Sequence, residues 1–179
     1  MSGDELILKV REYEQSFTSF INVNDLPKEW FSVPDHIAIK CADGNDYVKT
    51  CRELSHLTKN GIWEIDLDSR FLGSAELINS INFGEYGFSW IEIMQPRPGK
   101  ETEVGFVEHT EFLFTDFNTV KNVLEHKDIA YELQENPGHK WINIVIDNNG
   151  REIKINDKVL SDVVKWELEK GKLRKRDDS

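Results

Sequence analysis

The chain has 179 residues, 39% of them hydrophobic and 31% charged, with two cysteines and a formal net charge of −11. This is enough for one domain with a core, or for two small modules sharing one, and the balance is that of a globular chain and not a disordered one. The acidic charge argues against nonspecific binding to nucleic acid or anionic lipid, and no apolar run approaches the ~20 residues of a membrane span.

Met1-Ser2-Gly3-Asp4-Glu5 has no basic leader region, and Cys41 and Cys51 lack Cys-x-x-Cys spacing. A reducing, cytoplasmic setting is therefore expected, with no disulfide framework. Residues 4–22 are predicted helical, because Leu6, Val10, Tyr13, Phe17 and Phe20 recur every three or four positions. Asn24-Asp25 is expected to cap a short helical piece from Leu26 to Phe31, ended by Pro34. A strand over residues 35–41 leads to a helix running to about Lys59, with Tyr47, Cys51, Leu54 and Leu57 inward and Asn60-Gly61 as its stop.

Strands are expected around Ile62, Ile65 and Leu67 and again from Phe71 to Ile81. Tyr86 to Met94 alternates plainly, with Phe88, Trp90, Glu92 and Met94 on one face and Ser89, Ile91 and Ile93 on the other. Gln95-Pro96-Arg97-Pro98-Gly99-Lys100 breaks regular structure and reads as a linker. Beyond it, Thr115-Asp116 caps a helix through Val120, Val123 and Leu124, Tyr131 and Leu133 mark a short strand, and Asn136-Pro137-Gly138 reads as a turn. Trp141 to Ile146, Asp147-Asn148-Asn149-Gly150 and Arg151 to Ile155 form a strong hairpin signal. A last amphipathic helix, about 158–168, is expected to bury Val159, Val163 and Trp166, with Lys172 to Arg176 as its solvated, frayed end.

One pattern occurs twice. Asp35-His36-Ile37-Ala38-Ile39-Lys40 and Glu108-His109-Thr110-Glu111-Phe112-Leu113-Phe114 each set an acid and a histidine at the start of an alternating apolar run. Such a run is expected to be a half-buried strand, with Ile37 and Ile39 opposite His36, and Phe112 and Phe114 opposite His109. Each leads into a helical segment and then further strands. The halves thus read as copies of one βαβββ unit in an α+β protein: a 1–34 helical arm, modules 35–99 and 100–157, and a helix with tail at 158–179, all one structural domain.

These motifs, in this order, resemble the vicinal oxygen chelate superfamily, the fold of glyoxalases, bleomycin-resistance proteins and extradiol dioxygenases. The branch they are most similar to is the YecM-like one, on the Asp-His-Ile motif, the Pro-x-Pro-Gly segment, the Glu-His strand and the Ile-Lys strand, over roughly residues 35–156. The resemblance implies a cupped mixed sheet, or half-open barrel, made by the two modules. It implies metal ligands on the first and last strand of each, which here fall on His36, Glu92 and His109, with Lys154 where metal-binding members commonly carry glutamate. Proline spacing would put Met94 in the place of Glu92.

Two imidazoles and a carboxylate suit Zn²⁺, Ni²⁺, Mn²⁺ or Fe²⁺, and an open face would chelate a small oxygenated molecule. A lyase, isomerase or dioxygenase is the activity this implies, with Lys154 and Glu111 as the catalytic candidates. Glu111 shares the His109 face and is also an alternative carboxylate ligand. Lys154 complicates the picture, since an ammonium cannot ligate; it would lose its proton by desolvation, pair with Glu92 or hold an organic anion. A metal-free binding module is therefore a second reading. A non-catalytic interaction protein, docking through the N-terminal arm and C-terminal helix, is a third. Taken singly, each histidine reads as a satisfied, half-buried side chain, and Glu92 as a solvent-facing one; the recurrence is what points to a shared site. His139 is expected in a surface turn, His56 and His126 exposed on helices, and Phe88 and Trp90 in the core or cup wall. A monomer or a homodimer is expected, since two modules in one chain remove the need to pair modules across a dimer.

Overall fold

A computed structural model describes residues 1–67, 69–136 and 139–176. The turn expected at Pro137-Gly138 and the acidic end of the tail lie outside the described residues. Helix α1 (Gly3–Asn24) starts with a reciprocal cap: Glu5 N–H donates to the Ser2 hydroxyl (3.2 Å) and Ser2 N–H to the Glu5 carboxylate (2.6 Å). Its stripe of Leu6, Val10, Tyr13, Phe17 and Ile21 is buried. Asp25, in the left-handed region at φ 45°, closes this helix instead of opening the next. The expected second helical piece is a single 3₁₀ turn, Lys28–Phe31, which buries Trp30 and Phe31.

Pro34 opens strand β1 (Pro34–Lys40), where a missing N–H is tolerated. The first unit continues through α2 (Gly44–Leu54), β2 (Trp63–Leu67), β3 (Arg70–Phe83) and β4 (Tyr86–Met94). Helix α2 stops at Leu54, short of Lys59, and passes into a 3₁₀ turn. The second unit is β5 (Phe106–Leu113), α3 (Phe117–His126), β6 (Glu132–Asn136), β7 (His139–Val145) and β8 (Glu152–Asn156). Helix α4 (Leu160–Glu169) and the two-residue strand β9 (Arg174–Lys175) end the chain.

Among the described residues, the strands β1 to β9 join one mixed sheet in the order β6-β7-β8-β5-β1-β4-β3-β2-β9. Within each unit the last strand lies parallel to the first, β4 on β1 and β8 on β5, and β1 and β5 meet antiparallel. The two βαβββ units therefore abut through the strands that carry the two histidines, forming the cupped sheet with α1 and α4 as additions. Because β1 is central, it is not half-buried as its alternation suggests: Asp35 through Ile39 are all buried.

The aromatic core holds α1 to the sheet. Phe17 touches five rings, from Phe83 at 5.1 Å to Tyr13 at 6.2 Å, with Phe31, Tyr86 and Phe112 between. Phe88 stacks on Phe83 and meets Phe112 edge-on, so it belongs to this core and not to the Glu92 face. The β3/β4 register shifts between Glu76 and Ile81, and that irregularity breaks the parity on which the sequence expectation rested.

Helix α4 buries Leu160 and Val164, one position on from the expected stripe, and Trp166 is 49% exposed beneath the Lys172 ammonium. The basic run is no frayed helix end: Arg174 and Lys175 pair with β2. Among the described residues, no helix is long and apolar enough to cross a membrane.

Removing the ring that carries α1 should be costly. Phe17→Ala is expected to lose about 3–5 kcal/mol, the range for a truncated core aromatic, read as a lowered urea midpoint at unchanged slope.

Candidate functional site

The two histidines owe their placement to paired irregularities in the β1/β5 ladder. Along β1 the register shifts between Pro34 and Ile37, so one extra residue is accommodated at Asp35-His36. Along β5 it shifts opposite Ala38 and Ile39, and the extra residue is Glu108. On a regular strand an acid and the histidine after it point to opposite faces; a bulge re-aims one of them. Here each acid turns back on its own neighbour. His36 Nδ1 lies 3.0 Å from Asp35 Oδ2, and His109 Nδ1 lies 3.3 Å from Glu108 Oε2.

With Nδ1 committed, each ring presents Nε2 to the cup. The rings stand 5.9 Å apart between centroids at 73°. Among the described residues neither Nε2 makes a well-aligned hydrogen bond, although both are buried and face Glu111 Oε1, and the rings are 3% and 0% exposed. Ala38 pairs with Glu92 on one side and His109 on the other, so a methyl group floors the space between them. Ligand atoms of His36, Glu92 and His109 all come within 4.8 Å of one another, as do those of Asp35, His36 and Glu111.

Glu111 sits at the middle of this arrangement. Its Oε1 is 3.3 Å from His109 Nε2, 3.7 Å from His36 Nε2 and 3.6 Å from Lys154 Nζ. Asn156 Nδ2 donates to its other oxygen. The partner of Lys154 is thus Glu111, opposite it in the β5/β8 register, and not Glu92. Met94 pairs with Lys40, two residues beyond Glu92 along the strand, and is absent from both groups of converging ligand atoms.

The charges shape one another. Burial alone would pull His36 down, but Glu111, the Asp35 hydrogen bond and Glu92 outweigh it and raise the imidazole to about 9. Burial opposes the ionised Glu111 carboxyl, yet the His36 charge, the His109 contact and Lys154 hold it well below the usual carboxylate range. Glu108 is brought to about 2 against its burial by His109, Lys154 and Lys40. Without a metal, then, an imidazolium and an ammonium flank an ionised Glu111.

Sequence reasoning named His36, Glu92, His109, Glu111 and Lys154, and the fold brings all five to one cup. It assigned no role to Asp35, Glu108 or Asn156. The repeated acid-histidine pair was a signal for the first two, but strict alternation hides a contact between neighbours. His139 opens β7 instead of sitting in a turn, stacked on Trp141 at 4.9 Å and bonded to Asp157 at 2.8 Å. His56 and His126 are exposed and distant in the chain from these strands.

No protein-family description and no curated protein matches the chain. Solved structures share its fold. A structural-genomics structure, Protein EC4020, superposes with a TM-score of 0.63 over 89% of this chain and 93% of its own, at 15% identity. The methylmalonyl-CoA epimerase from Mycobacterium tuberculosis does so with a TM-score of 0.51 over 78% and 96%, at 13% identity. At such identities the likeness is one of fold, the vicinal oxygen chelate fold.

The shifts fix a pH dependence for the metal-free protein. The folded His36 value lies above the ordinary 6.5, so its contribution is full below pH 6.5 and is lost as pH rises through about 9. Glu108 is depressed from 4.5 to about 2, so its contribution holds above pH 4.5 and disappears as pH falls. Melting temperature should therefore drop between pH 6.5 and 9 in the wild type, and His36→Gln should flatten that limb.

Proposed function

We propose that the cup binds one divalent metal ion through His36, Glu92 and His109, and that the protein is a vicinal oxygen chelate enzyme of the YecM-like branch. Its substrate class on this reading is a small oxygenated metabolite, and its chemistry that of a lyase, isomerase or dioxygenase. The observation that carries the reading is the pair of buried Nε2 atoms, which among the described residues make no well-aligned hydrogen bond and share only the Glu111 carboxylate, with Glu92 also in reach. A buried nitrogen held only by a loosely aligned ion pair gains from a ligand that takes its lone pair. Two of them converging on one point fit a borderline cation such as Zn²⁺, Ni²⁺, Mn²⁺ or Fe²⁺.

Asp35 and Glu108 support this, since an acceptor on Nδ1 fixes the tautomer whose Nε2 lone pair ligates. When bound, the metal would supply Lewis-acid polarisation of a substrate carbonyl or stabilisation of an enediolate. Glu111 is the residue we assign to accept a proton: it is acceptor-only and held by Asn156, and the cations around it make it a weak base. Lys154 keeps it ionised and supplies a donor to an anionic substrate oxygen. The epimerase among the solved neighbours is in keeping with an isomerase-type reaction on this fold.

Charge favours a cation over the alternative of a metal-free anion pocket. Asp35, Glu92, Glu108, Glu111 and Glu152 surround the histidines, against the ammonium groups of Lys40 and Lys154. The metal-free reading keeps one specific support, which is Lys154 itself. On that reading a bound organic anion would raise the melting temperature, and Lys154→Ala would abolish the rise.

Protein purified without a tag should carry close to one equivalent of metal, and His36→Ala and His109→Ala should each lower that content at least tenfold. Metal content unchanged in both variants would refute the assignment. Because the cation competes with a proton on His36, apparent affinity should climb from pH 6.5 toward about 9, by up to tenfold per pH unit. Calorimetry in buffers of different ionisation heat should show a proton released near neutral pH.

A further inference from the structure

The C-terminal segment is tied to the cup at one end and to a separate clamp at the other. The N-cap position of α4 is Val159, which offers no side-chain cap. The cap comes from across the fold instead. Leu160 N–H donates to both oxygens of Asp35, at 3.1 and 2.9 Å. The same carboxylate takes the hydrogen bond of His36 Nδ1. Two turns later the Glu167 carboxyl is raised by burial, lowered by the Lys172 ammonium and raised again by the charge of Glu92.

At the far end Glu64, 3% exposed, gathers four donors. Arg174 donates from Nε (3.1 Å) and Nη2 (2.6 Å), Arg176 from Nη1 (2.6 Å) and Tyr47 from its hydroxyl (2.8 Å). The two guanidinium groups also lie over rings, Arg174 on Phe71 at 5.0 Å and Arg176 on Tyr47 at 5.4 Å. Between these anchors the apolar hold is slight: α4 buries only Leu160 and Val164 and leaves Trp166 and Leu168 exposed. An element with few buried contacts opens at low cost. Yet both histidines are closed to solvent, so a ligand cannot reach them unless something moves.

We propose that residues 160–176 form a lid over the cup, latched by the Glu64 clamp, and that Asp35 is the positioning residue through which lid closure orients His36. This rests on the cup being the ligand site proposed for the protein. When the lid is down, Leu160 N–H and His36 Nδ1 share one carboxylate, and Asp35 is held by both. When the latch releases, Asp35 loses the amide that fixes it, and the His36 ring loses its orientation with it. Closure and ligand affinity are then coupled through one side chain, as for outer acceptors of ligating histidines.

The test uses the whole protein. Diethyl pyrocarbonate, which acylates only neutral imidazole, is applied near pH 9 with peptide mass mapping to read access to His36 and His109 with no metal or substrate added, and amide hydrogen exchange reads α4. Arg174→Ser/Arg176→Ser should raise labelling of both rings at least tenfold and speed α4 exchange, leaving exchange of α1 and β5 unchanged. Glu64→Gln should give the same result and serves if the double variant fails to fold. Asp35→Asn should weaken Co²⁺ binding about ten- to a hundredfold and change the His36 ring ¹⁵N shifts, an effect a packing role alone would not produce. Wild-type protection retained in both clamp variants would overturn the lid. Unchanged Co²⁺ affinity and ring shifts in Asp35→Asn would overturn the coupling. If the wild type binds no Co²⁺, the metal assignment fails, while labelling and ring shifts still decide the lid.

Discussion

A carboxylate hydrogen-bonded to the imidazole next to it in sequence is the constraint on which the cup depends. A regular strand forbids that contact, because neighbours face opposite ways. The chain makes it twice by inserting one residue into each partner of the central ladder, at Asp35-His36 and at Glu108. Since β1 and β5 are adjacent and antiparallel, the two departures bring both rings to one concavity. Ala38, wedged between Glu92 and His109 in the register, keeps the floor clear. A larger residue there would fill the space the rings enclose.

The resulting cluster is an expensive thing to bury. Ionised groups in a low-dielectric interior seldom return their desolvation cost, and a core of apolar residues would serve stability as well or better. Glu111 is flanked by His36, His109 and Lys154 and receives Asn156 besides, so its charge is compensated but not idle. Perturbed titratable groups gathered in one cup point to chemistry more than to architecture. The stability of the fold is supplied elsewhere, by the aromatic cluster around Phe17 and Phe112 on the opposite face.

Much of this was legible in the sequence, for identifiable reasons. Tyr86–Met94 and the hairpin around Asn149-Gly150 form the strands that their local signals announce. The repeated acid-histidine motif marked the two strands that join the units. What stayed hidden depended on irregularity or on distance. Phe88 changed sides because of a register shift between Glu76 and Ile81. Strand β9 is two residues long, and its basic run reads as solvated until Glu64, 110 positions before Arg174, is seen to receive it. Asp35 gave no hint that it would cap a helix starting at Leu160. Nor did Lys154 reveal its partner, since only the parallel β5/β8 register sets it beside Glu111.

The central claim is that both imidazoles aim the same nitrogen, Nε2, at one point. A crystal soaked in Co²⁺ and measured at the cobalt absorption edge tests it most directly. One anomalous peak is expected within bonding distance of Nε2 of both His36 and His109, with Nδ1 of each still on its acid. A peak on Nδ1, a peak on one ring alone, or cobalt held only by surface carboxylates would contradict it.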